Sequence, residues 1–220
     1  MGQHKLQTPK RKIFRSARLK PVVTTAIIVA CIVGVVALDS FLRNRYSPLT
    51  AFPAGRSVGN PDAPLKILEF ADFQCAECKK GFETLNYYLA SYPKDIYVGM
   101  KYFPLLHEHS MKSAVYAECA AEQKKFWPFV GLLFKQQNQW SQMNGVEEYF
   151  RMLAKKAELN ADDLENCVKR DQVRAVIAGD KSLGDSYFVR STPTYFINKE
   201  MVVGVEALVK YLENYFKNKK

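Results

Sequence analysis

Apolar and polar positions follow three different patterns along the chain. Residues 21 to 38, PVVTTAIIVACIVGVVAL, carry no charge, and a helix of that length extends about 27 Å, close to the hydrocarbon thickness of a bilayer. Residues 39 to 60 keep no period and contain Pro48, Pro53, Gly55 and Gly59, which is how a tether reads. From about Pro61 onward, short β-compatible runs alternate with helical stripes. Leu65 to Phe70, LKILEF, predicts a strand, and behind it Cys78, Phe82, Leu85 and Leu89 recur on one face of a helix. Ile96 to Phe103 predicts a second strand, and residues 108 to 186 show helical periods with no convincing strand. Thr194 to Ile197 and Met201 to Val203 predict two more strands joined by a turn at Asn198-Lys199. Leu208, Tyr211, Leu212 and Tyr215 mark a closing amphipathic helix.

Charge separates the leader from the folded part. The chain has 32 Lys+Arg against 22 Asp+Glu, yet residues 1 to 20 hold seven bases (Lys5, Lys10, Arg11, Lys12, Arg15, Arg18, Lys20) and no acid, and residues 61 to 220 balance 22 against 21. A nucleic-acid binder carries its basic excess on the domain that meets phosphate, so that class is set aside and the Tyr and Phe content is read as core. The expected organisation is a basic cytoplasmic leader (1–20), a transmembrane anchor (21–38), a linker (39–60) and one globular domain (61–220). The positive-inside rule places the N-terminus in the cytoplasm and the domain outside it, in the periplasm or extracellular space. A cleaved signal is the alternative, with Val35-Val36-Ala37 as a cleavage site. Cys31 follows a lipoprotein-like Ile28-Val29-Ala30, but the residues after it stay apolar, so it reads as a lipid-embedded side chain.

The chemistry concentrates at Cys75-Ala76-Glu77-Cys78, where the first strand gives way to a helix. Cys78 lies on the buried stripe. Cys75 stands at the helix start, where unpaired backbone N–H groups and the dipole favour a thiolate. One activated sulfur with a shielded partner three residues on is what thiol–disulfide exchange needs: the first attacks and the second resolves the mixed disulfide. With strands and helices in the order β, α, β, helical block, β, β, α, the fold class expected is α/β, a thioredoxin scaffold with a helical domain inserted at about 105–186.

These residues resemble the DsbA-like family of thiol:disulfide oxidoreductases in its membrane-anchored bacterial form. The likeness runs over residues 58 to 215, through VGNPDAPLKILEFADFQC, the CxxC, HSMKSAVYAECAAEQKKFW and FVRSTPTYFINKEMVVG. It implies that Thr192-Pro193 is the substrate-facing loop with a cis proline, and that Glu69 is the buried acid that takes the proton of Cys78. Without the resemblance, Pro193 would read as a trans proline opening a strand and Glu69 as a strand-edge residue reaching solvent. The chain departs from the family at Ala76 and Glu77, which commonly hold Pro and then His or Tyr. The strongly oxidising character of the best-known member is therefore not carried over: a carboxylate at Glu77 disfavours the Cys75 thiolate, partly offset by Lys80 and Lys79.

Four cysteines lie beyond the apolar span, an even number in a disulfide-permitting compartment. Cys119 continues the Met111, Val115 stripe and Cys167 follows Leu164 by one turn; two buried free thiols remain the alternative to a bond. The resemblance implies a Cys119–Cys167 disulfide in the helical insertion, closing a loop of about 49 residues and worth about 4 kcal/mol by chain entropy. His107 and His109 read as solvated loop residues after Phe103-Pro104, and Trp127 as a packing position of the insertion. A zinc site would show two close ligand pairs and only one CxxC is present, so no metal is expected. No organic cofactor is expected either, because the Cys75–Cys78 pair is itself the redox centre. The implied partners are cysteine-containing exported proteins and a membrane redox protein that recycles the pair. A reductase or isomerase on the same fold is the nearest alternative. A non-catalytic metal-binding or chaperone-like module is the alternative of another class.

Overall fold

The computed structural model describes residues 19–45 and 51–218, with side chains described for 24–39 and 51–218. The chain divides into two compact units, Met1–Ser47 and Pro48–Lys220. The first holds one helix, α1 (Leu19–Arg45), whose described side chains are exposed. Among the described residues no helix is long and apolar enough to cross a membrane. Residues 1–18 of the 1–20 leader lie outside the described residues, as do some side chains of the 21–38 stretch. Helix α1 continues through residues 39–45, part of the stretch read as linker.

The second unit is built on a five-stranded sheet of order β1-β3-β2-β4-β5, with β1 (Ser57–Gly59), β2 (Leu65–Ala71), β3 (Ile96–Tyr102), β4 (Thr194–Ile197) and β5 (Glu200–Val203). Only β2 and β3 run parallel; the other neighbours are antiparallel. On one face lie α2 (Ala76–Ser91) and α9 (Val205–Lys217), whose Leu85, Leu208 and Leu212 bury Leu65, Ile67, Val98 and Ile197. On the other face Leu68, Phe70, Phe103 and Phe196 pack with Leu183 of α8 (Asp171–Ser186). Alternation along β2 sends its side chains to these two cores in turn. Between β3 and α8 are α3 (Ser110–Glu122), α4 (Phe126–Lys135), α5 (Gln137–Trp140), α6 (Glu147–Lys156) and α7 (Ala161–Cys167). They enclose a third core that includes Phe126, Phe129, Phe134, Trp140 and Phe150. This is the α/β thioredoxin arrangement with an inserted helical region.

The structure corrects the reading at β1 and at His109. Strand β1 lies inside the stretch read as tether: Ser57, Val58 and Gly59 pair with Gly99, Val98 and Tyr97 of β3. Three residues are too few to show a period. The folded part therefore starts ahead of Pro61, and Arg56 enters a buried ionic cluster in which Asp180 accepts from the Arg56 guanidinium, the Lys101 ammonium and the Tyr102 backbone N–H. Helix α8 ends against the sheet, and a Cβ on Gly184 would stand 2.7 Å from the Phe103 ring. His109 is fully buried, not solvated, because its ring Nε2 reaches the Met143 carbonyl at 2.7 Å near Trp140; His107 is exposed.

Candidate functional site

Strand β2 delivers the chain to the site, and a short turn reverses it into α2. The Asp72 carboxylate organises that turn by accepting from the N–H groups of Gln74 and Leu105 and from the Ser110 hydroxyl. Cys75 is the N-cap of α2, with extended backbone (φ −77°, ψ 124°), and its carbonyl accepts from Lys79 N–H as the helix begins. Ala76 and Glu77 form the exposed first turn, and Cys78 points inward with 0% of its surface exposed.

The two sulfurs are not bonded to each other and have opposed environments. Cys75 is half-buried, and its titration is pulled down to about 5, first by the Cys78 thiol as hydrogen-bond donor. Burial works against this, while Thr192 and the backbone N–H groups of Cys78 and Glu77 add to it. As a thiol, Cys75 Sγ lies 3.5 Å from the Thr192 carbonyl oxygen, to which it donates. The Thr192 hydroxyl, without a hydrogen-bond partner among the described residues, is a further donor within reach of the thiolate. Cys78 is pushed well up by burial, with the neighbouring Cys75 and Glu69 acting in the same direction. Its sulfur accepts from Asp72 N–H at 3.4 Å.

Glu69 sits on central strand β2, fully buried, and burial pushes its carboxyl up to about 8, opposed by Tyr195 and reinforced by the Cys75 charge. The peptide bond Thr192–Pro193 is cis, and it sets the Thr192 carbonyl opposite Cys75 just ahead of β4. The Glu77 carboxylate turns away to Lys80 at 2.6 Å, so this residue meets Cys75 through its backbone N–H. Cys119 and Cys167 form a disulfide (S–S 2.02 Å) that joins α3 to the end of α7 in the inserted lobe. No cluster of three or more His, Cys, Asp or Glu side chains suited to a metal occurs among the described residues.

Residues that the sequence did not single out complete the site. The Gln137 side chain, from α5, donates to the carbonyls of Phe73 (2.8 Å) and Cys75 (2.9 Å), tying the inserted lobe to the active loop. Gln74 accepts from His109 N–H and donates to the Ser141 carbonyl. Tyr195 faces Glu69 from β4. A polar residue on a short helix or an aromatic in a strand carries no local sign of its partner.

Comparison with known proteins agrees with this geometry. A family model described as thioredoxin matches residues 52–214. The Na(+)/H(+) antiporter NhaA 1 of Mycolicibacterium gilvum is 29% identical over 144 residues, which make up 64% of this chain and 22% of that protein. The matched stretch thus spans under a quarter of the curated relatives' length. Among solved structures, alpha-DsbA1 of Wolbachia pipientis is 22% identical, with 74% of this chain and 89% of that one covered at a TM-score of 0.65. Oxidised BdbD of Bacillus subtilis is 19% identical, with coverages of 74% and 92% and a TM-score of 0.64. A periplasmic thioredoxin-like protein of Salmonella enterica serovar Typhimurium is 22% identical, with coverages of 74% and 88% and a TM-score of 0.61. At these identities the structural likeness is one of fold.

Proposed function

We propose, since this chain belongs to the thioredoxin family and has the fold of alpha-DsbA1 and BdbD, that it is an extracytoplasmic thiol:disulfide oxidoreductase acting on cysteines of exported proteins. The observation that carries the reading is the opposition of the two sulfurs, Cys75 half-buried and held down to about 5, Cys78 buried and pushed up. In the oxidising direction a client thiolate attacks Cys75 Sγ, the Cys75–Cys78 bond breaks, and Cys78 leaves with the electron pair and takes a proton from Glu69. A second client thiol then attacks the mixed disulfide, and Cys75 departs as its stabilised thiolate. Thr192 and Pro193 hold the extended client opposite Cys75. A membrane redox protein restores the disulfide.

A well-stabilised Cys75 thiolate favours the dithiol and makes the disulfide oxidising, which supports oxidase over reductase or isomerase. The potential of the detergent-solubilised chain against glutathione tests the direction. A value between about −120 mV, that of DsbA, and about −200 mV supports an oxidase, and one near thioredoxin's, about −270 mV, reverses the assignment.

The same reading has residues 21–38 anchor the domain outside the cytoplasmic membrane, supported by the basic leader, the absence of charge in that stretch, the Cys119–Cys167 bond and the periplasmic location of the Salmonella protein. Protease added to spheroplasts should digest the domain while the anchor stays in the membrane. A soluble product trimmed near Leu38 would identify a cleaved signal instead.

A further inference from the structure

Glu69 is buried beside the reactive sulfurs, with no cation paired to it among the described residues. Lys101, on the neighbouring strand β3, follows the residue in register with Glu69, Met100, and so points to the opposite face, where Asp180 takes it up together with Arg56. The titratable groups that face the carboxylate are Cys75 at the N-cap of α2, Cys78 from α2 and Tyr195 from β4. Tyr195 stands directly opposite Glu69 in the β2–β4 ladder, and both are 0% exposed.

Helix α2 makes room for the phenol at one position, Gly81, three residues after Cys78. A Cβ there would lie 2.0 Å from the Tyr195 hydroxyl oxygen and 3.5 Å from Glu69 Oε1. The hydroxyl and the carboxylate therefore share one notch under the active-site turn. Neither has a hydrogen-bond partner of good geometry in the dithiol structure. Two unsatisfied buried polar groups side by side are costly for the fold alone, which points to use in the reaction.

We infer that Tyr195 is a positioning residue for the resolving step, its hydroxyl in the Gly81 notch donating to the Glu69 carboxylate and keeping it available to Cys78. The inference rests on the proposed role of Glu69 as proton acceptor. Burial keeps Tyr195 protonated, its own titration being raised, so it serves as a donor and not as a base. A donor to the carboxylate opposes the burial that pushes Glu69 up to about 8. In the step itself, Cys78 gives its proton to Glu69 and its sulfur attacks Cys75 Sγ in a mixed disulfide. The Cys75 bond to the second thiol breaks, that thiol leaves with the electron pair, and the Cys75–Cys78 disulfide forms.

Dithionitrobenzoate isolates this step. In the full chain carrying Cys31→Ser, reduced at Cys75 and Cys78, attack by Cys75 releases one coloured thiolate, and resolution by Cys78 releases the second. For Tyr195→Phe the first phase should be unchanged. The second should slow about tenfold at pH 7, with its pH inflection moved up by about one pH unit. Thermal stability should hold, since in the resting dithiol that hydroxyl makes no hydrogen bond of good geometry. Glu69→Gln should abolish the inflection. If Glu69→Gln abolishes it and Tyr195→Phe leaves it in place, the inference about Tyr195 is wrong and the role of Glu69 stands. If the inflection survives Glu69→Gln, both are wrong.

Discussion

Replacing Glu69 by Gln should stabilise the protein at neutral pH while slowing its chemistry, and the pH dependence of that gain can be calculated. The carboxyl titrates near 8 in the folded protein against an ordinary 4.5, with burial the leading cause. A raised folded value means that the protonated group's contribution to stability is fully present below about 4.5 and is lost as pH rises toward 8. At pH 7 the unfolded chain ionises this carboxyl freely while the folded protein holds it mostly protonated, a disadvantage of about 3 kcal/mol. Gln is neutral in both states and escapes it. The buried amide needs partners of its own and costs about 1–2 kcal/mol where they are incomplete. The net gain at pH 7 should be about 1–2 kcal/mol, or roughly 4 °C in Tm for a chain of this size.

The difference between two pH values is more telling than the gain itself, because the amide's cost cancels. Urea unfolding of the oxidised protein, in which Cys75 and Cys78 no longer titrate, should give a Glu69→Gln effect about 3 kcal/mol more favourable at pH 7 than at about pH 4. An effect equal at both pH values, whatever its size, would mean that burial does not hold Glu69 protonated, and the proton-acceptor assignment would lose its physical basis.

Further outcomes follow from the same structure. Gln137→Leu leaves the buried Phe73 carbonyl without its side-chain donor and the Cys75 carbonyl with Lys79 N–H alone, so thermal denaturation should show a loss of about 1–3 kcal/mol and Cys75 should attack model disulfides more slowly; an unchanged Tm counts against the tie. Asp180→Asn leaves the Lys101 charge buried without its acid and Arg56 with Glu118 alone, which should cost about 3–5 kcal/mol in denaturant unfolding, and a change under about 1 kcal/mol would show the cluster to be hydrated. Glu77→His should lower the Cys75 inflection in alkylation and raise the reduction potential with little change in stability, because the Glu77–Lys80 pair is exposed. If Glu77→His and Glu77→Gln leave both unchanged, the potential is set by the backbone N–H groups of Cys78 and Glu77 and by Thr192.

The parts of this molecule that sequence exposes are those with strong local patterns. The run Leu65 to Phe70 and the stripe through Cys78, Phe82 and Leu85 locate β2, α2 and the inward turn of Cys78, because alternation and helical period each persist over several residues. Glu69 is conspicuous as the one carboxylate in an apolar run. What stays hidden depends on contacts far apart in the chain. Strand β1 has three residues and draws its pairing from β3, and Arg56 meets Asp180 124 positions away. His109 looks like a surface loop residue until Met143 and Trp140 close over it. Gly81 shows nothing in sequence of the phenol from β4 that requires it.

The asymmetry of the two sulfurs comes from a single turn of helix. At the N-cap, Cys75 meets the backbone N–H groups of Glu77 and Cys78 before any carbonyl of the helix competes for them. Three residues on, the Cys78 N–H is committed to that arrangement and its sulfur receives one N–H, from Asp72. A thiolate at Cys75 is thus stabilised by groups that a thiolate at Cys78 cannot use, and the buried position of Cys78 adds a desolvation cost on the same side. Bond formation between the two therefore gives up a stabilised thiolate, which is the physical basis of the proposed oxidising direction. The same step also requires a base for the sulfur that resists ionisation, and Glu69 is the carboxylate within reach of both cysteines. In the proposed function, helix start, buried thiol and buried acid form one device, in which the first sets the driving force and the other two set the rate.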